Sequence, residues 1–401
     1  MKTRSFRFQS TTCPRNGWMQ IRSFMAGALL LGALSVVFAS MIARPVQAGK
    51  PTPPPSTVPV RYQVKLVPIQ QWSGPRDMNN LGSQVAIRTD SFGIRHAMLI
   101  EDGLAIDLET LVNPPEGWYF ASAFGINDNG SITGDLGKVG TSLDVVRRGY
   151  VIHRPDASPP FYTTIPDEEW AISIGWKINN DGLVLGIYGN PDGTSGHYVF
   201  DTQDPLQTLP KILPIVSDTS LFLNNSMLGR PAQVIGYRNS DGKALRYTLG
   251  ATSVETLTLG TGGGSPKSIN DFGDFCGATA ILTKRGTPSG QYVAYRDDLF
   301  GYKTFSATGG GADDINSTGD LAIPISSGTQ VYLEGYGVLK VNDLLVGTAT
   351  DVSLFRNGMA NCKFITERGS LNPTQPNYPG LGGNVNANGI TYACVLTPVA
   401  P

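Results

Sequence analysis

One pattern recurs along most of this 401-residue chain and limits what it can fold into: an apolar residue, Asn, two further residues and usually Gly. It appears as Met78-Asn79-Asn80-Leu81-Gly82, Ile126-Asn127-Asp128-Asn129-Gly130 and Ile178-Asn179-Asn180-Asp181-Gly182, and less regularly as Leu223-Asn224-Asn225-Ser226. It returns as Ile269-Asn270-Asp271-Phe272-Gly273, Ile315-Asn316-Ser317-Thr318-Gly319 and Val385-Asn386-Ala387-Asn388-Gly389. The first five steps between these asparagines are 48, 52, 45, 46 and 46 residues, and the last is 70. A period of this size marks a repeat architecture. The long final step predicts an irregular last unit or an insertion.

Asn and Asp bond the backbone two residues on, and Gly takes the positive φ that closes a hairpin, so each motif reads as a tight turn between strands. Further apolar strands follow in each unit, such as His96-Ala97-Met98-Leu99-Ile100 and then Ala105-Ile106-Asp107-Leu108. Four short antiparallel strands per unit is the arithmetic of a propeller blade. The expected fold is an all-β propeller of about seven four-stranded blades, with six or eight as alternatives. Arg61 to Pro68 resembles an outer strand without the strands that precede it, whereas the C-terminal unit has nothing after Pro398 to complete it. Pairing the two would close the ring and remove two open edges.

Only 16% of the residues are charged, which argues against long helices and coiled coils. Residues 1–48 hold six basic and no acidic residues, with an apolar run from Phe24 to Ala43 and then Val46-Gln47-Ala48. This is the anatomy of a secretory signal peptide, with the cut expected between Ala48 and Gly49; the alternative is an uncleaved anchor. Residues 49–60 read as a proline-rich linker, and 61–401 as the repeat domain. Cleavage leaves 25 basic and 32 acidic residues, a net charge of −7. That balance, with no basic run, argues against nucleic acid or anionic lipid as partners. A secreted, periplasmic or cell-surface monomer with no membrane insertion after cleavage is expected.

The units resemble the bacterial extracellular repeat family called HAF, after its His-Ala-Phe strand. The likeness rests on His96-Ala97-Met98, the Ile-Asn-x-x-Gly turns, and Leu259-Gly260-Thr261-Gly262-Gly263-Gly264-Ser265 leading into Ile269-Asn270. The ending Tyr392-Ala393-Cys394-Val395-Leu396-Thr397-Pro398 is also similar. His-Ala-Phe itself is never intact. The resemblance covers about 61 to 399 and implies export and repeated β-structure, but no reaction.

Catalytic signatures are missing: there is no Gly-x-Ser-x-Gly, no His-Glu-x-x-His and no phosphate loop. His96, His153 and His197 recur in corresponding strands, which points to blade packing. No cofactor is expected. Asp181, Asp192, Asp241 and Asp271 sit in turns without the density of a calcium loop, and structural calcium is a minor alternative. Cys362 and Cys394 could form a disulfide in an exported protein, with Cys276 a buried free thiol. Trp72, Trp118 and Trp170 precede the motif asparagines of the first three units by seven, nine and nine residues. Glu116 and Glu168 stand beside the last two. Such a rim of indoles and carboxylates could hold a glycan or peptide, against the simpler reading that each Trp packs on its own blade. Two function classes follow: a non-enzymatic binding scaffold, or a secreted polysaccharide hydrolase or lyase using rim carboxylates.

Overall fold

The computed structural model describes residues 60–401, except 70–73, 141–145, 155–157, 167–169, 205, 208, 216–220, 228, 239, 258, 260–263, 283–287, 299–300, 306–309 and 326–327. The expected signal segment and nearly all of the linker lie outside the described residues, as do Trp72 and Glu168. Among the described residues no helix is long and apolar enough to cross a membrane.

The chain is an all-β propeller. After β1 (Arg61–Pro68), the first meander is β2 (Pro75–Met78), β3 (Gln84–Thr89), β4 (Arg95–Glu101) and β5 (Leu104–Asp107). There follow β6 (Trp118–Ile126), β7 (Ile132–Lys138), β8 (Arg147–His153) and β9 (Phe161–Thr164), then β10 (Ile172–Ile178), β11 (Leu183–Gly189), β12 (Ser195–Asp201) and β13 (Lys211–Ile212). Next come β14 (Phe222–Leu223), β15 (Gln233–Arg238), β16 (Lys243–Thr248) and β17 (Glu255–Leu257), and β18 (Ser265–Ile269), β19 (Phe275–Leu282), β20 (Pro288–Asp298) and β21 (Gly301–Phe305). The C-terminal part holds β22 (Asp314–Ile315), β23 (Leu321–Ile325), β24 (Gly328–Leu333), β25 (Gly337–Lys340), β26 (Leu345–Val346), helix α1 (Ala349–Asn357), β27 (Met359–Arg368), β28 (Pro379–Ala387) and β29 (Ile390–Val399).

Five sheets of four or five strands are single blades: β2 to β5, β14 to β17, β18 to β21, β22 to β25, and β26-β1-β29-β28-β27. The remaining sheet has eight strands. It consists of two meanders, β6 to β9 and β10 to β13, joined by one parallel pairing of Ile172 with Arg147. In the last sheet β1 lies antiparallel to β29, with Val64 opposite Leu396 and Leu66 opposite Cys394.

Apolar residues fill the spaces between successive meanders. Val85, Ala97 and Leu99 meet Phe120, Ile132 and Tyr150; Val151 and Ile165 meet Val184 and Phe200; Leu185 and Val199 meet Val234 and Leu245. Val67 and Ala393 of the last sheet pack against Ala86, Met98 and Ile100 of the first meander. A Tyr–Gly pair tightens several meanders: Tyr150, Tyr198 and Tyr295 lie opposite Gly134, Gly186 and Gly277. The Tyr150 and Tyr198 hydroxyls reach across that bare backbone to donate to the inner-strand carbonyls of Ser122 and Ile174, at 3.0 and 3.1 Å. A Cβ at Gly186 would land inside the Tyr198 ring.

The motif asparagines explain the repeat. Each side-chain oxygen accepts an N–H within its own hairpin: Asn79 from Ser83, Asn127 from Ser131 and Asn179 from Leu183, at 2.9, 2.8 and 2.8 Å. Each side-chain amide then donates to the backbone of the next unit, Asn79 to Asn127, Asn127 to Asn179, Asn179 to Asn224, Asn224 to Asn270, and Asn270 to Asn316, at 2.9–3.1 Å. Asn316 donates in turn to Thr366 O at 3.0 Å. Asp would lack the donor, and no other residue this short both accepts and donates at such reach.

This circuit corrects the sequence expectation for the last unit. The motif position there is Thr366, 50 residues after Asn316, so the period holds. Asn386 instead lies at the β28–β29 hairpin, whose turn carries Asn388 and Gly389 at positive φ of 53° and 77°. The following residues form a second series of bonds in two runs: Asn80 N donates to Asp128, Asp128 N to Asn180, Asn180 N to Asn225 and Asn225 N to Asp271. Ser317 N donates to Glu367, and Glu367 N returns to the Asn80 side chain at 2.7 Å.

The expected disulfide is not formed. Cys362 and Cys394 are buried thiols with sulfurs 3.7 Å apart. They sit on β27 and β29 with Gly383 of β28 between them in the ladder. Two strand spacings amount to roughly 9–10 Å, beyond the roughly 7 Å that a disulfide spans between Cα atoms.

Candidate functional site

The inner strands β2, β6, β10, β14, β18, β22 and β27 surround a central cavity of ≈ 530 Å³. Its chemistry comes from the two residues that stand three and two places before each motif position. In five of these strands the ladder register slips there, between Pro75 and Asp77, Ala123 and Gly125, Gly175 and Lys177, Pro266 and Ser268, and Cys362 and Phe364. The residues in the slips are Arg76, Phe124, Trp176, Lys267 and Lys363, all of them cavity-lining. A bulge sets two strand residues against one and re-aims a side chain that regular alternation would turn away. Consecutive residues such as Arg76-Asp77, Trp176-Lys177 and Lys363-Phe364 therefore both reach the cavity wall.

Around the ring the chemistry divides into arcs. Phe124 and Trp176 stack with centroids 4.8 Å apart, and Phe222 continues the aromatic side. The Trp176 indole N–H is buried and has no hydrogen-bond partner among the described residues. Next come Lys267 with Asp313, at 2.5 Å, and Asp314. The Asp314 carboxylate accepts from the Ser268 hydroxyl at 2.6 Å and from Ile365 N at 3.0 Å, yet burial pushes its carboxyl up to about 6. Lys177 reaches past Gly125 to Asp77 at 2.8 Å, and Asp77 also accepts from Ile126 N at 3.2 Å. A Cβ at Gly125 would come within 3.0 Å of the Lys177 Cα.

Lys363 and Arg76, on neighbouring inner strands, are different. Among the described residues neither has a hydrogen bond or ion pair; Lys363 Nζ only lies 5.2 Å from the centroid of its own neighbour Phe364. Burial, and then the Arg76 charge, push the Lys363 ammonium down to about 8. A second recess of ≈ 630 Å³ shares Lys267 and Asp313 with the cavity and is otherwise lined by uncharged residues, including Gly311, Asn361 and Asn384.

The rim expected from sequence is placed differently. Trp118 is half-buried against the cluster of Phe120 and Tyr150, and Trp170 stacks on Tyr188 and Tyr198 at 4.6 and 5.1 Å. Both described rings thus have packing partners in separate clusters, and Glu116 is exposed in the turn before Trp118. None of the three histidines lines the cavity: His96 lies 3.4 Å from both Asp90 and Asp107, and His153 stacks on Phe161. The turn aspartates serve the backbone, Asp192 accepting from Thr194 N and Asp181 from Ser226 N. Among the described residues no group of three or more His, Cys, Asp or Glu could hold a metal. Sequence reasoning missed Trp176, Lys177, Lys267, Asp313, Asp314, Lys363 and Arg76. The available signal was their fixed offset from the motif, at a position where the repeat stops repeating.

No family profile and no curated protein matches the sequence. Solved structures with a similar course include YCF48 from Cyanidioschyzon merolae, at 11% identity over 82% of this chain and 98% of that one, with a TM-score of 0.42. The β-propeller domain of the Trilobed protease from Pyrococcus furiosus shares 8% identity over 86% and 96%, at 0.48. The fucose-specific lectin from Aleuria aurantia shares 9% over 72% and 96%, at 0.36. The propeller assignment rests on the strand pairings and the asparagine circuit, and none of these likenesses says what this chain binds.

Proposed function

We propose that this chain is an exported, non-enzymatic propeller of the HAF-type repeat kind that binds a glycan or peptide in its central cavity. The eight-stranded sheet is read as two blades, giving seven, with β1 closing the ring as the outer strand of the last. The unbroken run of donors from Asn79 to Thr366, and the return from Glu367 to Asn80, support that count. The observation that carries the binding reading is the Phe124–Trp176 stack, whose buried indole N–H has no acceptor among the described residues, on the wall of a cavity sized for a small ligand. Sugar rings stack on such faces, and their hydroxyls would meet the indole donor and the Asp77 and Asp313 acceptors.

The test is a glycan and peptide array with wild type and Trp176→Ala. Hits lost in the variant, with its circular dichroism unchanged, support the reading; hits indifferent to Trp176 would refute it. A hydrolase or lyase is the second reading, favoured by Asp314, whose carboxyl near 6 beside Asp313 suits acid–base exchange. Release of reducing ends from a polysaccharide, abolished in Asp314→Asn, would replace the first reading with this one.

A further inference from the structure

We propose that the arc formed by Lys363 and Arg76 seats the carboxylate of an acidic sugar, a uronate, while the sugar ring lies against Trp176. The inference deepens the channel-binding reading and rests on it. Three observations carry it.

The first is how the cavity charges are matched. Asp77 is taken by Lys177 and Asp313 by Lys267, whereas Asp314 is held by a hydroxyl and a backbone N–H. Arg76 and Lys363 remain as cations without a counter-ion among the described residues, on the two inner strands that flank the chain's closing contact. Cations on neighbouring strands repel, and an anion between them relieves that repulsion while gaining charge-assisted hydrogen bonds.

The second is the position of the other acids. Asp128, Asp271 and Glu367 also border the cavity, but at the hairpin ends, where the second series of bonds engages them. Four strand residues separate that level from Arg76 and Lys363, roughly 13 Å along the inner strands. An anion therefore has one favourable place, at the level of Arg76 and Lys363.

The third is the mixture of partners. Asp77 and Asp313 would repel a dianion such as phosphate but accept hydroxyl protons, and the indole offers a donor and a ring face. A singly charged, hydroxyl-rich ring answers all three, which a phosphate or a neutral sugar does not.

The test is titration calorimetry of the mature protein at pH 7 with a galacturonate disaccharide, the neutral galactose disaccharide and inorganic phosphate. The uronate should bind more tightly than either, and Lys363→Gln or Arg76→Gln should weaken it about tenfold, the scale of one charged hydrogen bond. Arg76→Gln alters an exposed side chain and keeps the test available if Lys363→Gln folds poorly. Between pH 7 and 9 wild-type affinity should fall as Lys363 loses its proton, and Lys363→Arg should abolish that fall. Arg76 and Lys177 favour this loss, Asp313 and Asp77 oppose it, and Asp314 titrates well below the window. Equal affinity for the neutral disaccharide, or preference for phosphate, overturns the uronate assignment and leaves the channel reading standing. No heat with either sugar overturns the uronate assignment, and array hits indifferent to Trp176 overturn the cavity-binding reading as well.

Discussion

Two positions in each unit, three residues apart, follow opposite rules. The motif residue is Asn at 79, 127, 179, 224, 270 and 316, and each side-chain amide donates to the backbone of the unit that follows; Thr366 receives the last of these bonds. Three places earlier stand Arg76, Phe124, Trp176, Leu221, Lys267, Asp313 and Lys363, with almost nothing in common except their place in the ring. Identity marks the groups that hold the ring, since each must meet the same neighbour. Variety marks the groups that face the cavity, since a ligand touches each unit from a different side.

The largest effect should come from breaking the uniform position. Asn179→Ala removes the acceptor for Leu183 N, which is partly buried, and the donor to Asn224 O, which is buried. An expected loss of about 2–5 kcal/mol follows from two stranded groups, and urea unfolding measures it. A smaller change would mean that water replaces the side chain and that the circuit is not what enforces the repeat.

Gly186→Ala tests the other uniform feature. The added methyl must displace the Tyr198 ring, for an expected cost of about 1–3 kcal/mol as overpacking. Thermal unfolding reads it, and a neutral result would show that the Tyr–Gly pair yields easily.

Asp135 asks whether every departure from the repeat marks a site. It is fully buried where other units carry Ile187, Tyr237 or Ala278, faces Arg147 Nε at 4.0 Å, and lines neither recess. Burial pushes its carboxyl up to about 6. The folded state therefore holds its proton more tightly than the unfolded chain, and stability falls as pH rises from about 4 to about 6. Asp135→Asn should remove much of that fall, add about 1–3 kcal/mol at pH 7, and leave ligand binding alone. A destabilised variant would show that the carboxylate serves the fold as it stands.

The smallest effect on the fold belongs to the variable position. Trp176→Phe keeps the stack on Phe124, and unfolding should change by less than about 1 kcal/mol, while ligand affinity drops with the lost N–H. A large loss of stability would move Trp176 from the site to the scaffold.

The fold was legible because turn chemistry is local. Gly82, Gly130, Gly182, Gly273 and Gly319 all take the positive φ that the motif requires. The last unit was misread because Thr366 stands in for Asn, though Ile365-Thr366-Glu367-Arg368-Gly369 keeps the rest of the motif. The cavity residues were not legible, because a bulge is a property of two strands in register and no single strand announces it. Trp118 and Trp170 attracted attention by type, whereas Trp176, six residues beyond Trp170, has the better position.

The pairing of β1 with β29 also sets a schedule for the chain's synthesis. Tyr62 and Pro398 are register partners, so β1 must wait for β29, more than 300 residues later, to be made. A product that lacks β29 leaves β1 only its two-residue parallel pairing with β26, and so one open strand edge.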